Sequence, residues 1–349
     1  MRVAIVGYGR VGRAFVQLIN GKKDYLKKEG LEIQVNYIIG RNGGVYNSEE
    51  IDLQDFMEFG ELHRDITKYS KGGDTNLSFK KILDNKDVEV VIELTPTDKE
   101  TGEPGMTHIK SSLEYGINVV TANKGPILLA YKQLKNIAVK NNVQLGIGCT
   151  AGGALPSING GAIDLAGADI LSIEGVLNGT TNFIINDMED NGVTYIEALK
   201  KAQRLGIAET NSTLDVEGWD TATKLLILTN VLMNEEKVLK DISVQGITKI
   251  TPEEVKNCQE EGNKYKLVGK TIKENGKILM SVKLEKLEPT HSLYGVDGKN
   301  KAVRYVSDVL GELTIIGGAS GVIPAAASVL RDLININRGY RFCNNTITK

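Results

Sequence analysis

The chain opens with Val3-Ala4-Ile5-Val6 followed by Gly7-Tyr8-Gly9-Arg10-Val11-Gly12, which reads as an apolar strand, a glycine turn and the start of a helix. Gly7 permits the tight turn, Gly9 lets a pyrophosphate approach the backbone, and Gly12 lets the helix pack closely on the strand. The N–H groups at a helix N-terminus bind phosphate. The motif therefore predicts a dinucleotide-binding fold whose cofactor contacts are Gly7, Tyr8, Gly9, Arg10, Val11 and Gly12.

The end of the second predicted strand, Ile33–Ile39, indicates which dinucleotide binds. An NAD-selective site usually has an acidic residue here, which binds the ribose 2′-hydroxyl. This chain has Gly40 and Arg41 instead. A guanidinium binds a 2′-phosphate through two hydrogen bonds, so we expect NADP(H) to be preferred, with NAD(H) also accepted. The competing interpretation of Arg41 is an ordinary loop arginine.

The next segments continue an alternating pattern of strands and helices. Val88–Leu94 and Ile117–Val120 are predicted strands, and His108–Glu114 is a predicted helix between them. This order indicates a Rossmann-type, doubly wound parallel α/β sheet that binds ligands at the carboxyl ends of its strands. Lys124 lies just past one such end, although a turn lysine before Gly-Pro is an equally open interpretation. Residues 41–80 are polar and rich in glycine, and we expect an irregular, mobile excursion.

The character of the sequence changes after residue 147. A loop of small residues, Gly148–Pro156, precedes a predicted helix, and at 349 residues the chain is longer than one typical core. Extended segments then alternate with helices, which predicts a second, α+β domain. The predicted extended segments are Ile170–Val176, Ile242–Ile247, Ser281–Leu284 and Ala302–Val309.

Composition excludes several classes of function. The net charge of −2 offers no basic surface for nucleic acid, and no apolar run reaches the roughly 18 residues of a membrane span. We therefore expect a soluble, cytoplasmic protein that acts on a small molecule, with neither nucleic acid nor membrane as partner. The three cysteines are far apart, which is typical of reduced thiols, and the three histidines lack metal-binding spacing.

A charged segment in the second half begins with a helix signal. Thr194 and Glu197 have the spacing of a capping box, and Gly206 is placed to end that helix. Glu209 then lies in the following loop, and Asp215 is a candidate N-cap for the next helix. The segment therefore reads as helix, charged loop, helix.

Asp220 and Lys224 stand four residues apart on that next helix, so they share a face. The competing interpretation is a solvated surface ion pair that contributes roughly 0.3–0.5 kcal/mol. The apolar run Leu225–Leu228 argues against it, because it indicates a helix that enters the core.

Motifs from residue 3 to about residue 335 resemble those of a known family. They are Gly7-x-Gly-x-Val-Gly12, Thr121-Ala-Asn-Lys124, Thr150-Ala-Gly-Gly-Ala-Leu-Pro156, Asn178-Gly-Thr-Thr-Asn-Phe183, and Ala202-x-x-x-Gly-Ile-Ala-Glu209 with Asp215-x-x-Gly-x-Asp220-x-x-x-Lys224. The sequence is similar to homoserine dehydrogenases. The resemblance implies NAD(P)-dependent interconversion of L-homoserine and L-aspartate 4-semialdehyde, within threonine and methionine biosynthesis. It also implies a short form without a C-terminal regulatory domain.

The resemblance further implies the bounds and the function of each domain. Residues 1–147 would form the NADP-binding Rossmann domain, and residues 148–315 the substrate-binding and dimerisation domain. Residues 316–349 would supply a C-terminal helix that returns to the Rossmann domain. The family organisation implies a homodimer.

Site residues carried over from the family fall into three sets. The lysine pair at the reacting oxygen would be Lys124 and Lys224. The substrate-binding set would be Glu209, Asp220, Thr180 and Asp215. Beyond the glycine turn, the cofactor would meet Arg41, Thr95, Lys124, Gly206, Glu209 and Gly321.

One departure concerns a monovalent cation. Family members usually have glutamate where this chain has Gly148, and that side chain binds sodium together with carbonyls that match Ala151, Gly153 and Leu155. Without the carboxylate the charge of the ion is uncompensated, so we expect an alkali cation to bind weakly.

The residue types suit an alcohol oxidation. A lysine removes the hydroxyl proton if burial or a neighbouring cation lowers its pKa from about 10.4, and a second lysine stabilises the alkoxide. We expect Lys224 to be the acid/base and Lys124 the stabiliser. Two alternatives remain open: an aspartate-semialdehyde dehydrogenase with Cys149 as nucleophile, and a non-catalytic NADP-binding module.

Overall fold

In a computed structural model, which describes residues 1–343, the chain divides into two units. One unit comprises Met1–Thr150 together with the segment from Gly321 onwards, and the other is Ala151–Ser320. Each unit contains one β-sheet. The strands are β1 (Arg2–Val6), β2 (Gln34–Gly40), β3 (Gly43–Tyr46), β4 (Gly73–Asp74), β5 (Val90–Glu93), β6 (Asn118–Thr121), β7 (Leu145–Gly146), β8 (Ile170–Val176), β9 (Ile242–Val244), β10 (Lys264–Glu274), β11 (Lys277–Leu287), β12 (Lys301–Ser307) and β13 (Glu312–Gly317).

Helices alternate with the strands in the first unit and cover the sheet in the second. They are α1 (Arg10–Gly21), α2 (Lys23–Lys28), α3 (Leu53–Leu62), α4 (Phe79–Asn85), α5 (Gly105–Glu114), α6 (Lys124–Lys140), α7 (Ser157–Asn159), α8 (Gly179–Asn191), α9 (Tyr195–Arg204), α10 (Thr213–Val216), α11 (Trp219–Leu232), α12 (Pro252–Glu260) and α13 (Val322–Asn337).

The sheet of the first unit has the strand order β4-β3-β2-β1-β5-β6-β7. Along this order, the neighbours β2, β1, β5, β6 and β7 pair in parallel. The order reverses direction at β1. This is the predicted doubly wound α/β sheet, and β1 lies at its topological switch point, where ligands of such sheets bind. Helix α13 packs on α1, and apolar side chains of both helices share one core with β1, including Phe15, Val329 and Leu333.

The glycine turn after β1 is as close-packed as its sequence predicts. Gly7 has a φ of +105°, a conformation that L side chains rarely adopt. A Cβ atom on Gly12 would lie only 2.3 Å from the carbonyl oxygen of Gly7, whereas one on Gly9 would meet no heavy atom within 4 Å. Gly7 and Gly12 therefore serve backbone packing, and Gly9 leaves open space at the helix N-terminus.

The expectation of an irregular excursion over residues 41–80 is wrong. Strands β3 and β4 extend the sheet with antiparallel pairing, and α3 lies between them. Close strand contacts require two glycines of this stretch. Gly43 has a φ of +124°, and a Cβ on it would lie 2.4 Å from the carbonyl oxygen of Asp74. A Cβ on Gly44 would lie 2.4 Å from the carbonyl oxygen of Ile38.

The sheet of the second unit has the order β13-β12-β8-β10-β11-β9, and α11 packs on β8 and β10. This is the predicted α+β domain, but only part of the hairpin formed by β10 and β11 was expected from the sequence. Asn275 and Gly276 connect the two strands with φ values of +50° and +76°. Asn-Gly is a strong signal for a two-residue hairpin turn, so the sequence contained the information.

Among the described residues, no helix is long and apolar enough to cross a membrane.

Substitution of Gly12 tests the packing of the glycine turn. Gly12→Ala should lower the free energy of unfolding by about 1–3 kcal/mol, because the new methyl group collides with the carbonyl of Gly7. Gly21→Ala in the same helix is the control, since its Cβ meets no heavy atom within 4 Å. Urea denaturation measures both variants. Equal unfolding midpoints for the two would contradict this account of the turn.

Candidate active site

An ion pair at the start of α11 is the centre of the candidate site. The Nζ atom of Lys224 lies 2.5 Å from Oδ2 of Asp220, and each side chain is only 13% exposed. Helix α11 begins directly after Gly218, which has a φ of +86°, and its second half continues into a buried apolar run. The pair is therefore shielded from solvent, which excludes the interpretation of a fully solvated surface pair.

Two further groups fix this pair within the second unit. Nζ of Lys224 donates a hydrogen bond to the carbonyl oxygen of Leu177 at 2.8 Å. Nδ2 of Asn178 donates to Oδ2 of Asp220 at 2.9 Å and to Oδ1 of Asp215 at 2.6 Å. The structure thus brings together Asp215, Asp220 and Lys224, three residues that the sequence analysis selected, through the buried side chain of Asn178.

The prediction that Asp215 is an N-cap is wrong. Asp215 lies inside the short helix α10, whose N-cap is Ser212, and Gly218 precedes α11. The left-handed conformation of Gly218 separates the two helices without a capping side chain. The carboxylate of Asp215 is consequently directed to Asn178 rather than to the backbone of its own helix.

The loop after α9 carries two more of the predicted residues. Thr194 and Glu197 form the predicted capping box of α9, and Gly206 follows the helix with a φ of +67°. The hydroxyl of Thr180 donates to the carbonyl oxygen of Ile207 at 3.1 Å, which ties this loop to the start of α8. Glu209 is exposed in the same loop.

Lys124 is the first residue of α6, directly after β6, so it starts a helix rather than occupying a plain turn. The N-cap Asn123 accepts a hydrogen bond from the N–H of Gly125 at 3.1 Å. The amide of Asn123 also donates to the hydroxyl of Thr95 at 3.3 Å. Lys124 and Lys224 belong to different units, and their convergence on one oxygen stays a prediction.

Glu93 fixes the same sheet edge and was not selected from the sequence. Its fully buried carboxylate accepts the N–H of Thr95 at 3.0 Å and the hydroxyl of Thr121 at 3.1 Å. These contacts join the carboxyl ends of β5 and β6. In the sequence, the signal for this role was an acidic residue at the end of an otherwise apolar strand.

The N-terminus of α1 suits an anionic group such as a pyrophosphate. Gly9 caps the helix without a side-chain hydrogen bond, and the first turn contains no acidic residue. Gly9 and Arg10 are exposed there, and Arg41 is exposed directly after β2. Gly321 precedes α13 with a φ of +120°, again without a side-chain cap. The contacts of these residues with a dinucleotide remain predictions.

The residues of the expected cation site do not fit a monovalent cation. The hydroxyl of Ser157 donates to the carbonyl of Ala151. The carbonyl of Gly152 accepts a hydrogen bond from Nζ of Lys301 at 2.7 Å, and Lys301 is only 5% exposed. An ammonium group therefore already lies in the loop of Gly153 and Leu155, where it would repel a metal cation. No cluster of three or more His, Cys, Asp or Glu side chains with metal-binding geometry occurs in residues 1–343.

Packing in the first unit explains why glycine stands at position 148. Its N–H donates to Oδ2 of Asp332 at 2.7 Å, and Asp332 is fully buried in α13. A Cβ on Gly148 would lie 2.7 Å from Oδ1 of Asp332 and 3.0 Å from the guanidinium of Arg331. A side chain at this position would therefore require Asp332 and Arg331 to shift.

Cys149 is a poor candidate for a nucleophile. The residue is buried, and desolvation, with a smaller contribution from the charge of Asp332, raises the pKa of its thiol to about 11. Reactive cysteines instead have a low pKa and partial exposure.

Comparisons with known proteins agree with these motifs. Residues 156–334 match the family model described as homoserine dehydrogenase. The homoserine dehydrogenase of Methanocaldococcus jannaschii is 40% identical over 336 residues, which cover 96% of this chain and 98% of that protein. The NAD(+)-dependent homoserine dehydrogenase of Pseudomonas canavaninivorans is 31% identical, over 97% of this chain and 96% of the relative.

A solved structure shows the same similarity in three dimensions. The mutant of a hyperthermophilic archaeal homoserine dehydrogenase in complex with NADPH superposes with a TM-score of 0.83 at 27% identity. The superposition covers 98% of this chain and 99% of that one.

The contacts of Lys301 predict that alkali cations leave the protein unchanged. A ligand that binds the folded state raises Tm, so a bound cation would be detected as stabilisation. Exchange of choline chloride for sodium or potassium chloride at constant ionic strength should shift Tm by less than about 1 °C, because general screening is then the same. A saturable rise in Tm with one alkali cation would show that the site is intact despite the ammonium of Lys301.

Proposed function

This chain belongs to the homoserine dehydrogenase family, and we propose that it interconverts L-homoserine and L-aspartate 4-semialdehyde with a nicotinamide dinucleotide. The observation that carries the proposal is the shielded pair of Asp220 and Lys224. An ammonium group held by a carboxylate and a carbonyl supports a role in proton transfer to one substrate oxygen. The family membership argues against both alternatives, a cysteine-dependent dehydrogenase and a non-catalytic binding module.

We assign the proton transfer to Lys224. Two of its three ammonium hydrogens are directed to Asp220 and to the carbonyl of Leu177, and we assign the third to the substrate oxygen. In the oxidation of homoserine, neutral Lys224 takes the hydroxyl proton. In the reduction of the semialdehyde, protonated Lys224 returns it to the carbonyl oxygen.

We propose that Lys124 stabilises the negative charge that develops on the same oxygen. Glu209 and Asp220 would bind the substrate ammonium or order a water, and Thr180 would order the substrate loop through its contact with Ile207. Asp215 completes the substrate-binding set, and Asp220 also pairs with Lys224.

The dinucleotide supplies a carbon centre that accepts or returns the hydride when it is bound. We propose that α1 binds its pyrophosphate, because the exposed N-terminus of this helix has neither a capping side chain nor an acidic residue in its first turn. The remaining contacts follow the family resemblance: Tyr8, Arg10, Val11, Thr95, Gly206 and Gly321. One relative is NAD(+)-dependent and one related structure contains NADPH, and for this chain we propose preference for NADP(H) through Arg41.

We also propose that the second unit forms a homodimer through its sheet. The strand registers put Leu279 of β11 and Ile316 of β13 on the same sheet face as Glu174. Leu279 and Ile316 are each more than half exposed. Burial of large apolar side chains on a second copy would remove this surface from water.

Lys224→Ala tests the assigned acid/base. The rate of NADPH oxidation with L-aspartate 4-semialdehyde should fall about 10²–10⁴-fold, which is the usual loss when a general acid is removed. Lys200→Ala, an exposed lysine of α9 in the same unit, is the control and should keep full activity. Turnover should also proceed without phosphate, since phosphate dependence would favour the cysteine-dependent aspartate-semialdehyde dehydrogenase. A Lys224→Ala rate within threefold of the wild type would remove Lys224 from the mechanism.

Arg41→Ala tests the cofactor preference. The wild type should bind NADPH more tightly than NADH. Loss of the guanidinium should narrow the difference between their binding free energies by roughly 1.5–3 kcal/mol, the scale of a charge-assisted hydrogen bond. Fluorescence titration measures both affinities. Arg2→Ala is the control. Arg2 lies at the end of β1 away from the glycine turn, so its loss should leave the ratio of the NADPH and NADH affinities unchanged. Equal wild-type affinities for the two cofactors would contradict the proposal.

A further inference from the structure

Asn178 lies at the junction of β8 and α8, where four local structures meet. Its Oδ1 accepts the N–H of Thr181 at 3.0 Å and thereby caps α8. Its Nδ2 donates to Asp215 in α10 and to Asp220 in α11. The main-chain oxygen of the preceding residue, Leu177, accepts a hydrogen bond from Lys224. One buried residue and its neighbour thus contact every charged group of the cluster formed by Asp215, Asp220 and Lys224.

The orientation of the amide follows from its partners. Thr181 offers a backbone N–H, which requires an acceptor, and the two carboxylates require a donor. A flipped amide would direct its oxygen at both carboxylates and its NH₂ group at an N–H. Only one of the two amide orientations of Asn178 is therefore compatible with its surroundings. The cap of α8 fixes the oxygen and thereby the position of the NH₂ group.

Oδ2 of Asp220 lies between two donors. It accepts from Nδ2 of Asn178 at 2.9 Å and pairs with Nζ of Lys224 at 2.5 Å. Two carboxylates that share one amide repel each other, and the positive edge of the NH₂ group offsets this repulsion. Rotation of Asp220 away from Asn178 would displace the ammonium of Lys224, because the two are directly paired.

We propose that Asn178 is the positioning residue of the proton-transfer group, and that it acts on Lys224 through Asp220. The cap of α8 holds the side chain of Asn178, its NH₂ group holds the carboxylate of Asp220, and that carboxylate holds the ammonium of Lys224. The inference rests on the proposed function of Lys224. It adds a residue whose effect on catalysis is separable from its effect on helix stability.

Asn178→Asp separates the two effects. Aspartate has almost the same shape and is an equally good N-cap, so the bond to the N–H of Thr181 is kept. The substitution removes the NH₂ donor and adds a negative charge next to Asp215 and Asp220. Asn178→Ser is the second variant, since serine also caps helices but is too short to reach both carboxylates. Thr194→Asp, an N-cap exchange in α9, is the matched control.

We expect Asn178→Ser to keep Tm closer to the wild type than Asn178→Asp, whose added charge is buried and unpaired, and both variants to lower kcat about tenfold to a hundredfold, as small misplacements of catalytic groups do. Thr194→Asp should leave kcat unchanged.

A double variant tests whether Asn178 acts through Lys224. In a Lys224→Ala background, Asn178→Asp should cause no further loss of the residual rate, because the group that it positions is gone. An equal loss in both backgrounds would overturn the proposal, as would a single variant with wild-type kcat. If Asn178→Asp lowers Tm strongly, the same comparisons are made with Asn178→Ser. A wild type without activity on L-aspartate 4-semialdehyde would instead refute the proposed function.

Discussion

The shielded ion pair of Asp220 and Lys224 is the interaction on which the candidate site depends. Removal of two charges from water costs several kcal/mol, and their attraction offsets the cost only if the remaining hydrogen-bonding positions are filled. Asn178 and the carbonyl of Leu177 fill two of these positions. A pair of this kind contributes little to net stability, so its value lies in the fixed position of one ammonium group. The end of β8 and the starts of α8 and α11 are arranged around that requirement.

Backbone packing has the same role in the first unit. A methyl group on Gly12 would collide with the carbonyl oxygen of Gly7, and one on Gly7 would collide with the backbone of Leu94 and Thr95, which limits the path of the chain from β1 into α1. Glu93 and Asn123 connect the carboxyl ends of β5 and β6 and thereby place Lys124 at the first position of α6. The helix N-terminus, the strand ends and the lysine all lie at the edge of the sheet where doubly wound folds bind ligands.

Two buried charges oppose the cation site that the family resemblance implies. Asp332 takes the space next to Gly148, and the ammonium of Lys301 contacts a carbonyl in the loop of Ala151, Gly153 and Leu155. A missing carboxylate alone would leave a weakened cation site. The position of Lys301 instead puts a positive charge of the protein itself into that loop.

The sequence by itself determined the features that depend on short-range geometry. The glycine turn, the capping box of Thr194 and Glu197 and the shared face of Asp220 and Lys224 all follow from steric limits and helix periodicity within a few residues. Tertiary structure alone decided the role of Asn178, the direction of Asp215, the pairing of β3 and β4 and the ammonium of Lys301. These contacts join residues about 30 to 150 positions apart. Such partners are selected by burial, because a polar group removed from water must find a hydrogen bond wherever the fold provides one.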